Sequence, residues 1–203
     1  DFSTTWSPSN ATVSANALVA PDGSLTADAI VEDGTDNVHR ISQGSISYIS
    51  GNTYAMSVWA KAGIRDYIQL THGSTRFPSN AEGVFNLSTG AVHSTGEGAV
   101  SASIEDGGDG WYRCIVIATA DSTGTNTDFF NPSTDGTVVS YVGSSGSTNV
   151  NLWGAQINRG STATTYVATT TTAAPYQRVS GDIAGGTLRT ENLLLQSEVL
   201  GTT

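Results

Sequence analysis

Short runs of β-branched and aromatic residues recur along the chain, and clusters of Gly, Ser, Asn and Asp separate them. Apolar residues in these runs repeat every second position, whereas an amphipathic helix would repeat them every 3.6 residues. In residues 54–61, for example, Met56 and Val58 alternate with Ser57 and Trp59. This pattern predicts an all-β protein made of many short strands.

Two further segments, residues 67–71 and 111–120, alternate in the same way, and a Ser-Thr-Gly turn at 88–90 predicts a hairpin. About ten strands on mostly short connections are expected. They predict an antiparallel sandwich of two sheets about 10 Å apart. Trp111 and Trp153 are expected to lie in the core between those sheets.

Charged residues make up only 13% of the chain, and the net charge is −10. An excess of acids over bases argues against binding to nucleic acid or to anionic membrane surfaces. No apolar run approaches the roughly 18 residues of a membrane span, so membrane insertion is not expected. Hydrophobic residues still make up 37% of the chain, which is enough to form a core and argues against disorder.

The residues that could carry catalysis are isolated or placed in turns. His39, His72 and His93 are far apart in sequence and lack zinc-ligand spacing. The only cysteine, Cys114, lies in an apolar strand and is expected to be a packed thiol. Carboxylates suited to glycoside hydrolysis fall in turns, where capping of the local backbone explains them. We therefore predict that the protein is not an enzyme.

Several motifs follow one another in an order typical of a known family. They are Phe2 with Trp6, then Pro21–Asp28, Tyr54–Ala62, Val84–Gly90, Gly110–Cys114 and Leu152–Gln156. In this order they resemble a jelly-roll module of bacteriophage tail fibres and other virion structural proteins. That module is similar to carbohydrate-binding modules and concanavalin-like lectins. The resemblance covers roughly residues 1–170.

The resemblance implies a jelly-roll sandwich on the surface of a virion, assembled in the host cytoplasm and then exposed. Its expected partners are other virion proteins and copies of itself, for example in a trimer, with a host-surface glycan as ligand. Two alternatives remain open. One is a carbohydrate-binding module of a secreted polysaccharide-degrading enzyme, and the other is a ligand-free spacer or capsid-cementing domain.

The two ends of the chain indicate a tandem repeat. The family's opening motif, Asn-Leu-Leu-x-x-Ser-Glu, is missing at the N-terminus but occurs at residues 192–198. We therefore expect a sandwich in residues 1–174, a linker in 175–190, and the start of a following repeat or an exchanged strand in 191–203. The last segment could also fold back onto this unit or onto a neighbouring chain.

Aromatic rings and polar side chains on two consecutive strands suggest a carbohydrate-binding surface. Trp59, Lys61 and Ser57 alternate with the apparent core residues of one strand, and Tyr67 and Gln69 do so on the next. Sugars stack their C–H faces on aromatic rings and bond their hydroxyls to nearby polar groups. We therefore expect these five residues, together with Thr71, to line one exposed face. The alternative is that Trp59 packs under a loop or against a neighbouring subunit.

No motif requires a cofactor, but the sequence is compatible with a structural calcium ion. Oxygen-rich turns suit a hard cation. Asp22, Asp28 and Asp33 occupy the region in which related carbohydrate-binding modules often hold calcium. The resemblance therefore makes these three carboxylates the candidate metal ligands.

Overall fold

The computed structural model describes residues 2–169, 174–178, 189–192 and Leu194, and within them every regular element is a β-strand. Twelve strands form two antiparallel six-stranded sheets that pack face to face. The predicted two-sheet β-sandwich is confirmed, with more strands than expected, whereas its jelly-roll connectivity stays a prediction. In the described part of the chain, no helix is long and apolar enough to cross a membrane.

One sheet, here the front sheet, carries the candidate site described below. Its spatial order is β1 (Ser7–Ser9), β5 (Arg40–Tyr48), β12 (Gly124–Ser133), β7 (Tyr67–His72), β8 (Glu82–Asn86) and β9 (Ala91–Thr95). The other, the back sheet, has the order β10 (Ser101–Gly108), β11 (Trp111–Thr119), β6 (Thr53–Ala62), β14 (Thr148–Arg159), β3 (Ala27–Glu32) and β2 (Ala11–Leu18).

A third, two-stranded pairing joins β4 (Asp36–Val38) to β13 (Ser140–Val142). The chain passes from the back sheet to the front sheet between β6 and β7. These two strands are consecutive in sequence and both alternate, but they belong to opposite layers. Their outward side chains therefore point to opposite sides of the sandwich.

The main core fills the space between the two sheets. Met56 and Val58 of the back sheet are fully buried there, as are Ile68 and Leu70 of the front sheet. These residues are the inward half of each predicted alternation. The period of two therefore identifies the side of both strands that faces the main core, although outward residues of β6 such as Ser57 are buried too. Each fully buried side chain of this size stabilises the fold by roughly 1.5–3 kcal/mol.

The N-terminal segment is held to the core by aromatic packing and one buried carboxylate. The Trp6 ring stacks on Phe130 with centroids 5.0 Å apart, and Phe2 lies 5.0 Å from Trp6. Asp28 is 1% exposed, and its carboxylate accepts hydrogen bonds from the backbone N–H groups of Phe2 (2.6 Å) and Asn16 (2.8 Å). These two N–H groups satisfy a carboxylate that would otherwise be buried at a large cost.

All four edge strands of the sandwich are short or interrupted. β1 has three residues, one of them Pro8, and β9 has five residues and a shifted register against β8. β2 and β10 carry register shifts near Asn16 and near Asp106. Asn16 has a positive φ of 53°, a conformation that asparagine adopts more readily than most residues. Such bulges bend the edges of a sheet.

Near the C-terminus, β15 (Ala174–Arg178) pairs with β16 (Arg189–Asn192), and β16 lies against β14. Leu194 is fully buried and belongs to the main core. The expected linker at 175–190 and the segment 191–203 fall largely outside the described residues, so the predicted domain boundaries stay predictions. The burial of Leu194 nevertheless shows that this residue of the segment contacts the sandwich.

Replacing Leu194 with Ala should lower the free energy of unfolding by about 3 kcal/mol, because the change leaves a cavity in the main core. Urea denaturation followed by tryptophan fluorescence measures the loss. Val100→Ala serves as the control, since Val100 is 63% exposed and its truncation should change stability by less than about 0.5 kcal/mol. Equal effects of the two substitutions would contradict the placement of Leu194 in the core.

Candidate functional site

The outer face of the back sheet is covered by the chain itself. Trp111 and Trp153 form a second apolar cluster there with Ala20 and Ala27. Residues 161–169, here the strap, lie across the same face. This face therefore offers little open sheet surface to a ligand.

Hydrogen bonds from outward polar side chains hold the strap in place. The Gln156 side chain donates to Thr164 Oγ1 at 2.9 Å and accepts from the Val167 N–H at 2.7 Å. The Arg113 guanidinium donates to the Thr164 carbonyl and, at 3.2 Å, to Ser57 Oγ. These bonds satisfy polar groups that the strap buries.

The structure corrects the expectation that five residues line one sugar-binding face. Trp59, Lys61 and Ser57 lie on the back sheet, whereas Tyr67 and Gln69 lie on the front sheet. The prediction was wrong because it treated two consecutive strands as neighbours in one sheet. Outward-facing residues of the two strands are consequently separated by the whole thickness of the sandwich.

None of the three back-sheet residues lies on an open sheet face together with the other two. Ser57 is fully buried and accepts the bond from Arg113. Trp59 is half-buried and packs against the Trp cluster, with Gly107 so close that a Cβ there would lie 2.3 Å from the indole ring. The packing alternative therefore describes Trp59 correctly. Lys61 borders a separate cleft described below.

Trp111 and Trp153 do not lie between the sheets, as the sequence had suggested, but on the outer back face. The indole N–H groups account for this placement, because each has an acceptor on that face. The Trp111 indole donates to the Val19 carbonyl at 3.2 Å, and the Trp153 indole donates to Thr26 Oγ1 at 3.0 Å. Arg113 shares this face. Burial lowers the pKa of Arg113 from its usual value, and the Glu105 carboxylate, 3.7 Å away, opposes that shift.

The three candidate calcium ligands are used separately by the local backbone. Asp28 binds the two N–H groups described above, and Asp22 accepts from the backbone N–H and the hydroxyl of Ser24. Asp33 makes the equivalent pair of bonds to Thr35, which lower the pKa of the Asp33 carboxyl. Within the described residues, no group of three or more His, Cys, Asp or Glu side chains is arranged to hold a metal ion.

The outer face of the front sheet is open and contains a groove of about 350 Å³, here the front groove. Its floor and walls come from outward residues of β5, β12, β7 and β8, among them Arg40, Gln69, Thr71, Glu82, Phe129 and Asn131. In the β12–β7 register, Asn131 lies directly opposite Gln69, and Phe129 lies directly opposite Thr71. Strand pairing thus sets polar groups and one aromatic ring side by side.

Two oxygen atoms in the front groove have no hydrogen-bond partner in the described chain. Asn131 is 6% exposed, and its Nδ2 donates to Gln69 Oε1 at 2.9 Å, but its Oδ1 is unsatisfied. Thr71 Oγ1 is unsatisfied as well. His72 Nε2 is a third buried polar atom of this groove without a partner among the described residues. Most buried polar atoms in proteins have partners, so three such exceptions in one groove call for an explanation.

The two sides of the front groove carry opposite charges. Arg40 stands on β5 with its guanidinium carbon 4.6 Å from the centroid of the Phe129 ring, within cation–π distance. Glu82 stands on β8, three strand spacings and hence about 14 Å across the sheet. Neither charged group forms an ion pair within the part of the chain described.

A buried hydrogen-bond network supports one end of the front groove. Asp128 is 1% exposed and accepts from the Tyr48 hydroxyl, from the Gly73 N–H at 3.2 Å and from Asn126 Nδ2 at 3.0 Å. His72 Nδ1 lies 3.0 Å from the same carboxylate and borders the groove. Burial, followed by the Asp128 charge, raises the pKa of Tyr48 well above its usual value, so Tyr48 stays a hydroxyl donor.

A second opening, here the back cleft, has a volume of about 510 Å³ and lies at the side of the back sheet. Aliphatic and main-chain groups line most of it, with Lys61 and Asp109 as its charged side chains. Trp111 also lines it, but the indole N–H already bonds to Val19. The back cleft is larger than the front groove, yet none of its lining side chains has a buried polar atom without a partner.

The residues of the front groove that sequence reasoning missed are Arg40, Phe129 and Asn131. Thr71 was expected on the sugar-binding face, and His72 was seen only as an isolated polar residue. The one cysteine offers no alternative chemistry, because Cys114 is fully buried and burial raises the pKa of its thiol well above the usual value. A scan against protein-family models and a search of curated proteins find no match to this chain.

Replacing Tyr48 with Phe should lower the free energy of unfolding by about 2 kcal/mol at pH 7, because the Asp128 carboxylate loses a donor. A raised pKa in the folded state means that this contribution is present below the unfolded pKa near 10 and is lost above it. The difference between the two proteins should therefore shrink as pH rises above about 10. Urea denaturation from pH 7 to 11 measures it.

Tyr67→Phe is the matched control for this substitution. The Tyr67 ring is half-buried on the outer front face, and its hydroxyl makes no hydrogen bond to other described residues. Its removal should change stability by less than about 0.5 kcal/mol at any pH in the range. If Tyr48→Phe were as stable as the unsubstituted protein at pH 7, the network would not support the fold.

Proposed function

We propose that the protein is a structural module of a bacteriophage virion protein and binds host-surface glycans in the front groove. The observation that carries the binding proposal is the pair of unsatisfied oxygen atoms, Asn131 Oδ1 and Thr71 Oγ1. A buried polar atom without a partner costs about 1–3 kcal/mol. A ligand rich in hydroxyl groups would supply the missing hydrogen bonds and remove that cost.

The remaining chemistry of the front face also suits a sugar. Asn131 and Gln69 present carboxamide groups, and Thr71 presents a hydroxyl, so hydrogen bonds can be both donated and accepted. Tyr67 is half-buried two residues before Gln69 on the same outward side of β7, where its ring can extend the surface along a glycan chain. Few apolar side chains compete for the groove.

We infer that side-chain movement opens access to the two oxygen atoms. Each atom is covered in the free protein, but the long side chains of Arg40, Gln69 and Glu82 border the same groove. Rotamer changes of this kind are common when a ligand binds, whereas the backbone usually moves little. The sheet itself can therefore stay rigid while the groove opens.

The place of the protein on a virion rests on the order of the sequence motifs. In that setting the module lies on the virion surface beside other virion proteins and copies of itself, as in a trimeric fibre. The open front sheet and the covered back sheet suit such a module, since a neighbour can contact one side without blocking the groove.

Thr71→Val tests the binding proposal without threatening the fold. The substitution replaces a hydroxyl that has no partner with a methyl group, so the free protein should be equally stable or more stable. Affinity for a glycan identified by array screening should nevertheless fall about five- to tenfold, because the ligand loses one hydrogen bond. Calorimetric titration and thermal unfolding provide the two measurements.

Lys61→Gln serves as the control, because Lys61 borders the back cleft on the other sheet. It should leave glycan affinity unchanged. Loss of affinity in Lys61→Gln together with full affinity in Thr71→Val would move the site to the back cleft. If no glycan bound at all, the ligand-free spacer or cementing role would be favoured.

Electron microscopy of intact particles labelled with an antibody against this module tests its location. Label on a fibre would support host adhesion. Label spread evenly over a capsid would favour a cementing role. Absence from any particle, together with a catalytic domain in the same polypeptide, would instead favour a carbohydrate-binding module of a secreted enzyme.

A further inference from the structure

We propose that the front groove selects glycans that carry carboxylate groups, such as uronate-containing polysaccharides, and that Arg40 binds the carboxylate. This inference rests on the proposed glycan-binding function and specifies the chemical class of the ligand. It comes from the contacts of Arg40. Arg65 and Arg113 pair with carboxylates, and the half-buried Arg76 donates hydrogen bonds to main-chain carbonyl groups.

Cations are scarce in this acidic chain, and Arg40 has no anionic partner among the residues that the structure describes. Arg65 binds Glu32 with an N–O distance of 2.6 Å, and Arg113 lies 3.7 Å from Glu105. Arg40 is half-buried, yet no carboxylate in the described chain lies within ion-pair distance of it. Its guanidinium has five N–H donors in a planar fork, and that fork matches the two oxygens of a carboxylate.

The Phe129 ring orients this guanidinium for a ligand. The distance of 4.6 Å between the Arg40 Cζ atom and the ring centroid places the cation over the ring. When arginine stacks on an aromatic ring, the guanidinium uses its face, and the N–H groups along its edges stay available. Because the side chain is already held, less conformational entropy is lost when a ligand binds.

Side chains that can hydrogen-bond to sugar hydroxyl groups lie near the Arg40 guanidinium. Thr71 lies directly opposite Phe129 in the register, at a Cβ separation of about 5 Å, and Asn131 is two residues further along β12 on the same side. A sugar unit that places its carboxylate on Arg40 therefore brings its hydroxyl groups to Thr71 and Asn131. These contacts explain why the unsatisfied oxygens and the unpaired cation occur in one groove.

Other charges on the protein do not cancel the attraction of Arg40 for an anion. The strand of Glu82 lies about 14 Å across the sheet from the strand of Arg40, which exceeds the Debye length of about 8 Å at physiological ionic strength. The net charge of −10 is spread over the whole molecule and is screened in the same way. The buried Asp128 carboxylate already accepts hydrogen bonds from its own neighbours. The contact between Arg40 and a carboxylate is short-ranged, so it persists under these conditions.

The test uses oligosaccharides of galacturonate, glucuronate, mannuronate and guluronate, each compared with its neutral methyl ester. Calorimetric titration at about 150 mM salt measures affinity for both forms. At least one uronate should bind about tenfold more tightly than its ester, as expected for a hydrogen bond to a charged group. Arg40→Gln should remove this preference but keep the affinity for the ester.

Lys61→Gln is the matched control, since it removes the same charge from the back cleft and should keep the preference. Arg40→Lys should keep only part of it, because an ammonium group lacks the planar fork. Equal binding of acids and esters, or binding of neutral glycans alone, would overturn this inference and leave the glycan-binding proposal intact. Failure of every acidic and neutral glycan to bind would overturn both.

Discussion

The buried carboxylate of Asp128 is the constraint on which the front sheet depends. A charge removed from water must be compensated, and here donors come from β5, from β7 and the residue after it, and from β12 itself. Three neighbouring strands are therefore tied to one side chain, which fixes their relative positions at that end. The same network places His72 beneath the groove, so the fold and the candidate site share one buried charge.

Strand alternation gives both sheets an inner and an outer face, but only the outer face of the back sheet is covered by other parts of the described chain. On the back sheet, large aromatic side chains and the strap produce a second buried layer. On the front sheet, the outward positions hold carboxamides, hydroxyls and separate charges, and no segment of the described chain covers the groove. The difference arises from side-chain chemistry, because backbone pairing is similar in the two sheets.

Sequence patterns predicted the sandwich and identified the core-facing residues of β6 and β7. Buried and half-buried residues alternate without interruption on β7, whereas on β6 the outward residues Ala55 and Ser57 are buried as well. The patterns did not predict β12, in which Asp128 points inward and Pro132 interrupts the pattern. Proline is tolerated because pairing with β5 ends at Phe130, so β12 has a neighbour on one side only at that point. Without β12, neither the layer assignment of β7 nor the groove could be derived.

The interrupted edges of the sandwich limit strand pairing between neighbouring copies of the domain. An unbroken edge strand exposes a row of free N–H and C=O groups, and identical domains held close together can join along such edges into one continuous sheet. Pro8 removes a donor from one edge, and bulges near Asn16 and Asp106 bend two others away from a regular ladder. Many copies can therefore be packed at high local concentration while each remains a separate folding unit.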